Sequence, residues 1–259
     1  MRITIIGAGR VAYHLAYILS VQHAIVQIYS RTLDKARQLA DQFKAQAITQ
    51  PEELTANVDL VIIAVSDQSI ATVIEQTHPY LQHNLVVHTS GSTHLDVLRN
   101  VHARSGVFYP LQTFSLECDI DWQATPLFIE AANERDQTLL LELANSLSNR
   151  VYNYSSSQRL SLHLAAVFAC NFSNYCYDMA KQVVDAEQVD FSLLYPLILE
   201  TANKATQNNP RQMQTGPAMR GDQNILNMHQ QMLEQSQRQD LAEVYALLSQ
   251  QILQRHQFS

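Results

Sequence analysis

The stretch Met1-Arg2-Ile3-Thr4-Ile5-Ile6-Gly7-Ala8-Gly9-Arg10-Val11-Ala12-Tyr13-His14-Leu15 passes from a β-type apolar run, through a glycine turn, into a helical pattern. Such a G-x-G-x-x-A turn is built for a dinucleotide. Gly7 permits the tight turn, Gly9 lets backbone approach a pyrophosphate, and Ala12 stands where a third glycine would allow close helix–strand packing. Val11 and its neighbours open a helix whose free N–H groups and positive dipole end favour an anion. Glycine turns also arise for structural reasons alone. Here a second strand, Ala24-Ile25-Val26-Gln27-Ile28-Tyr29, follows at the spacing of a βαβ unit and supports the nucleotide reading.

The end of that second strand selects the nucleotide. NAD sites place an acid there, roughly 20 residues beyond the glycines, to accept from the ribose hydroxyls. This chain has Ser30-Arg31-Thr32 instead. A guanidinium can fork onto a 2′-phosphate and two hydroxyls can donate to it, whereas a carboxylate would repel it. NADP(H) is the expected cofactor, and a site for S-adenosylmethionine, which also wants an acid, is disfavoured. The plainer alternative is that Ser30 or Thr32 caps the helix Leu33 to Phe43, with Arg31 solvated.

At 259 residues and 46% hydrophobic content, the chain can bury one large core and a smaller second one. A net charge of −7 and a pI near 5.8 argue against nucleic acid or an anionic membrane as partner. No apolar run approaches the ~20 residues of a membrane span, and the opening strand is unlike a signal sequence, so a cytoplasmic protein is expected. Cys118, Cys170 and Cys176 have no metal-ligand spacing; buried thiols are expected, and no metal.

Further strand signals follow at Ala45 to Ile48, Asp59 to Val65, Asn84 to Thr89, Gly106 to Tyr109, Leu127 to Glu130 and Val151 to Tyr154, with helical patterns between them. This alternation predicts an α/β fold with an open doubly wound sheet. From Ser155 the character changes. Ser155-Ser156-Ser157 caps a long helix, Gln158 to about Val184, and further helices are expected at Asp190 to Gln207, Asp222 to about Gln235 and Arg238 to about His256. The expected division is a Rossmann domain over 1–155 and an all-helical domain over 156–259 for substrate and dimerisation.

Ligands of such sheets bind beyond the carboxyl ends of the strands. Val65-Ser66-Asp67 is placed to flank a nicotinamide ribose, and His88-Thr89-Ser90-Gly91-Ser92 to reach the substrate edge; capping is the plainer reading of each serine. Along the long helix, His163, Cys170, Asn174 and Lys181 fall on nearly one line at about 100° per residue, with Asn171 beside it and Leu164, Phe168, Phe172 and Tyr175 on other faces. Such a helix reads as largely buried. Burying His and Asn unpaired costs roughly 1–3 kcal/mol each, so protein groups or a ligand must satisfy them. Glu200 and Lys204 form either an ordinary i, i+4 pair or, with Lys204 turned into an interdomain cleft, a proton donor or carboxylate anchor. Gln214 to Asp222 reads as a plain helix start or as an anion-holding loop.

Together, the Gly7 to Ala12 turn, Val86 to Ser92, Tyr109 to Ser115, His163 to Phe172 and Gln214 to Ala218 resemble a bacterial Rossmann-like family. Its members are labelled NADP oxidoreductases and its helical half is a domain of unknown function. The layout is similar to that of pyrroline-5-carboxylate reductases and, more distantly, of the 6-phosphogluconate and β-hydroxyacid dehydrogenases. The resemblance implies NADP binding, an interdomain cleft and a dimer-forming helical domain. His163 stands near the place of the β-hydroxyacid enzymes' lysine, and Arg10, where a small or amide residue is common, adds a phosphate contact. The expected activity is NADP(H)-dependent reduction of a small carbonyl or imine. His163 or His88 would handle the proton, while Asn171 and Asn174 orient the reacting group. The rival is a nucleotide-binding regulator or interaction protein without turnover. A homodimer is expected because the long helix has more apolar faces than one small domain can cover.

Overall fold

The computed structural model describes residues 1–81 and 83–257. All eight strand signals form strands: β1 Arg2–Ile6, β2 Ala24–Tyr29, β3 Gln46–Ile48, β4 Leu60–Ile63, β5 Leu85–His88, β6 Ser105–Pro110, β7 Leu127–Ala131 and β8 Val151–Asn153. They make one sheet in the order β3-β2-β1-β4-β5-β6-β7-β8. Every pairing is parallel except that of β6 with β7. The register sets Ile63 of β4 beside His88 of β5, and His88 beside Val107 of β6.

The continuous apolar runs serve two cores, because alternate side chains leave opposite faces of a strand. Ile3, Ile5, Leu60, Ile62, Leu85 and Val87 pack with helices α1 (Arg10–Ser20), α2 (Leu33–Phe43) and, later in the chain, Glu134–Leu147. Ile6, Val61, Ile63 and Val86 pack on the other face with α3 (Asp67–Thr77) and α4 (Asp96–Arg99). Each such fully buried aliphatic side chain contributes about 1.5–3 kcal/mol of burial. Helix α5 (Glu134–Leu147) begins where the Asn133 side chain accepts from the Asp136 N–H.

Helix α6 (Ser156–Ala166) starts at the predicted serine: Ser155 accepts from the Gln158 N–H, and the Gln158 side chain accepts from the Ser155 N–H, a capping box. The long helix is not uniform, however. Val167–Phe172 forms a π-helical segment before α7 (Ser173–Ala186), so the single 100° line on which the polar stripe was drawn does not hold through it. Nor is the helix largely buried: Leu164, Phe168, Phe172 and Tyr175 are each about half exposed or more. The three cysteines are exposed rather than buried, since two ride on this helix and Cys118 lies in a surface loop. The remaining helices are α8 (Tyr195–Gln207), entered through a 3₁₀ turn at Phe191–Leu194, α9 (Pro217–Arg220), α10 (Gln223–Gln235) and α11 (Gln239–Gln257). Asp222 caps α10 by accepting from the Ile225 N–H.

By Cα proximity the chain forms two compact units, Met1–Ala169 and Cys170–Ser259. No helix among the described residues is long and apolar enough to cross a membrane.

Candidate active site

Gly7 leaves β1 at φ +125°, and a Cβ there would lie 2.2 Å from the Ala64 carbonyl oxygen at the end of β4. Both the conformation and the close approach exclude a side chain. Gly9 is the N-cap of α1, has no side chain to close the helix end, and nothing lies within 4 Å of where its Cβ would be. The helix end therefore opens onto free space, a cleft of about 850 Å³. Gly7, Ala8, Gly9, Arg10 and Val11 form one wall, Ser30, Arg31 and Thr32 the end beyond β2, and Val65, Ser66 and Ser69 the side beyond β4. Ala12 is fully buried against the sheet instead, as the packing position of the turn demands. Ser66 turns its hydroxyl to Ser69 at 2.9 Å.

The basic end of the cleft fits a 2′-phosphate. Thr32 is the N-cap of α2 yet makes no side-chain cap bond, so its hydroxyl is not spent on capping. Arg31 forms no ion pair among the described residues and is exposed, and Lys35, in the first turn of α2, lines the same cleft. Lys35 was missed in the sequence; its place in the first turn of the helix after the second strand was the available signal. No cluster of His, Cys, Asp and Glu that could hold a metal occurs among the described residues.

Beyond β4, β5 and β6 the polar groups form a second constellation. Tyr109 on β6 and His163 on α6 meet, phenol oxygen to Nδ1, at 3.3 Å. Gly91 makes the meeting possible: a Cβ there would stand 2.7 Å from both His163 Nδ1 and Tyr109 Cζ. Burial, and secondarily the Asp67 carboxylate, push the Tyr109 phenol up to about 12, so it stays protonated at neutral pH. Asp67, Thr89 and Ser90 do not line the cleft. Asp67 accepts from the Ser92 hydroxyl, Thr89 donates its N–H to the Ile63 carbonyl at 3.2 Å, and the buried Ser90 hydroxyl accepts from the N–H groups of Ser92 and Thr93.

The loop carrying Gly91 is braced by a residue that sequence reasoning passed over. Arg159, only 1% exposed, donates to the carbonyls of Ser90 at 3.2 Å and Thr93 at 2.5 Å, and pairs with Glu130 of β7 at 2.7 Å. Its place one turn into α6 gave no sign of partners over 60 residues away. His88 is fully buried; its Nδ1 accepts from the Ser90 N–H at 3.2 Å, and its Nε2, near the His94 backbone, makes no hydrogen bond of good geometry among the described residues. Burial, with the Arg159 charge second, lowers it to about 3, so it is a neutral loop support rather than a proton donor. In the smaller unit, Asn171 lies in the π-helical segment and Asn174 in α7, both exposed. Lys204 on α8 pairs with Glu200 at 3.0 Å, both half exposed.

A Rossmann sheet with this glycine turn and a basic, acid-free end to its second strand defines an NADP-type dinucleotide protein. Comparison with known proteins makes this specific. Residues 2–91 match the family described as NADP oxidoreductase, coenzyme F420-dependent, and residues 125–252 match a domain of unknown function, DUF2520. The chain is 39% identical to a Bacteroides fragilis protein provisionally named an NADP oxidoreductase, over 98% of each chain and with a TM-score of 0.91. It therefore belongs to the family of NADP oxidoreductases that join these two domains. A Coxiella burnetii pyrroline-5-carboxylate reductase has a similar fold at 19% identity (98% of this chain, 97% of that one, TM-score 0.57). So does a Streptomyces aurantiacus imine reductase at 12% identity (98% and 96%, TM-score 0.64). No curated protein matches the chain.

Proposed function

We propose that this chain reduces a small carbonyl or imine with NADPH, and that Tyr109 and His163 deliver the proton. The observation that carries this reading is their 3.3 Å contact at the carboxyl edge of the sheet, with the phenol held protonated. The 2′-phosphate would be held by Arg31, Lys35 and the hydroxyls of Ser30 and Thr32, and the diphosphate by the backbone from Gly7 to Val11. Bound there, the reduced nicotinamide supplies a hydride to the electrophilic carbon of the substrate.

The chain's own residues handle the proton. When His163 is protonated, its Nδ1–H donates to the Tyr109 oxygen and frees the phenol hydrogen to bond the substrate's oxygen or nitrogen. As that atom gains negative charge it takes the phenol proton, the phenol recovers one from Nδ1, and neutral His163 is recharged from solvent. A placed acid of this kind contributes about 10²–10⁴ in rate. Gly91, braced through Arg159, keeps the pair together.

A second copy of the chain is proposed to cover the helical unit, where Leu193 is 71% and Leu197 64% exposed. NADPH consumption across a panel of ketones, keto acids and cyclic imines tests the activity. Turnover of at least one class is expected; tight NADPH binding with no turnover of any would favour a non-catalytic nucleotide sensor instead.

A further inference from the structure

The segment after β6 does something the glycine turn does not explain. Phe114 lines the cofactor cleft, while Leu116, two residues on, lines a separate cavity of about 410 Å³ that shares Gly9, Arg10 and Lys35 with it. The backbone between them thus runs as a partition over the start of α1. It has no regular secondary structure. The His14 imidazole, on the buried face of α1, bonds the Ser115 carbonyl through Nε2 at 2.7 Å, a link across 101 residues. The Phe114 ring lies between those of His14 and Trp122, at 5.5 and 6.3 Å. A histidine at a core position of the glycine-turn helix is otherwise unexplained, because an apolar residue would pack there at lower desolvation cost.

We propose that Leu111 to Leu116 is a strap on the cofactor cleft, that Phe114 is a contact for the nicotinamide-ribose half of NADPH, and that His14 is the positioning residue that holds Phe114 there. The strap comes from β6, on the flank of β1 opposite β2, whose end carries the phosphate-binding Ser30-Arg31-Thr32. Its Leu116 end reaches the cavity shared with Lys35 and Gln38 of α2, whereas Phe114, nearer β6 along the chain, lines the cofactor cleft. An aromatic wall suits a flat ring, and its edge and face contacts add to simple burial. Ser115 in the middle presents its carbonyl to His14, so one hydrogen bond fixes the side chains on both sides of it.

The inference rests on NADPH binding in this cleft, and the test separates the two. Calorimetric titrations would use NADPH and 2′-phospho-ADP-ribose, which lacks the nicotinamide. Phe114→Ala should weaken NADPH about tenfold while changing 2′-phospho-ADP-ribose less than about twofold. His14→Ala should reproduce that pattern, and His14→Gln, whose amide N–H can still donate to the Ser115 carbonyl, should restore most of the affinity. Trp122 is the chain's single tryptophan, so its emission reports strap release without any turnover: a red shift is expected in His14→Ala and not in His14→Gln. Equal losses for both ligands, or no loss in Phe114→Ala, would overturn the assignment of Phe114; an unshifted Trp122 in His14→Ala would overturn the tether. Failure of the unaltered protein to bind NADPH would overturn the cofactor reading itself.

Discussion

The sheet and the C-terminal helices differ in where their apolar atoms end up. Every strand from β1 to β7 contributes fully buried aliphatic or aromatic side chains, and the helices on both faces complete two cores. Among the described residues of the unit Cys170–Ser259, by contrast, the buried hydrophobics are Ala218, Leu226, Leu241 and Ala242, while Phe172, Tyr175, Leu193, Leu197 and Leu199 are half exposed or more. One unit covers itself and turns polar groups toward a ligand. The other presents apolar surface, as expected of a face made for protein rather than water. Ligand chemistry should therefore be sensitive to single polar changes in the first unit, and assembly to single charges in the second.

The sharpest way to break the self-sufficiency of the sheet unit is through Arg159. Arg159→Ala leaves the Glu130 carboxylate to the Ser156 hydroxyl and takes the buried donor from the Ser90 and Thr93 carbonyls, and should cost about 3 kcal/mol of stability in chemical denaturation. A loss below about 1 kcal/mol would mean the buried ion pair is replaceable by water, and the brace on the Gly91 loop would go with it. In the helical unit, Leu197→Lys should shift the mass in light scattering from dimer to monomer at micromolar concentration while leaving NADPH affinity unchanged. A chain that is monomeric before the change contradicts the proposed cover.

Arg31→Ala should weaken NADPH by roughly ten- to a hundredfold, the loss of one charge-assisted contact of about 1.5–3 kcal/mol, and leave NADH nearly unaffected. Equal losses for both would place Arg31 away from the 2′-phosphate. A smaller effect is expected from acid. His88 falls from 6.5 to about 3 on folding, so the unfolded chain binds the extra proton and stability declines as pH drops from about 6.5 toward 3. At about pH 5 this amounts to roughly 2 kcal/mol. His88→Asn, which keeps an acceptor for the Ser90 N–H, should flatten that part of the stability–pH curve.

Much of the sheet unit was legible because its signals are local. The run Leu60 to Ile63 declares a strand covered on both faces, Ser155 with Gln158 declares a helix start, and Ser30-Arg31-Thr32 declares a phosphate preference. The candidate site was legible only in part, because its geometry depends on partners distant in sequence. His163 was singled out, but Tyr109 as its partner and Gly91 as the gap between them become visible only once β6, α6 and the loop after β5 are brought together. Arg159 and the His14 link to Ser115 were invisible for the same reason. The π-helical segment Val167–Phe172 carries no glycine or proline to announce it, so the uniform polar line through Asn171 and Asn174 was drawn on a helix that does not exist in that form. The expectation of buried cysteines failed where the apolar helix itself proved exposed.

In the proposed reaction the Tyr109–His163 pair supplies the proton and the cofactor cleft holds the nucleotide. Single-turnover oxidation of bound NADPH by a responsive carbonyl or imine, measured in Tyr109→Phe together with the NADPH Kd, tests it most directly. The expected rate is lower by about 10²–10⁴, with the Kd within about twofold of the unaltered protein. An unchanged rate in Tyr109→Phe, or a loss explained wholly by weaker NADPH binding, would contradict it.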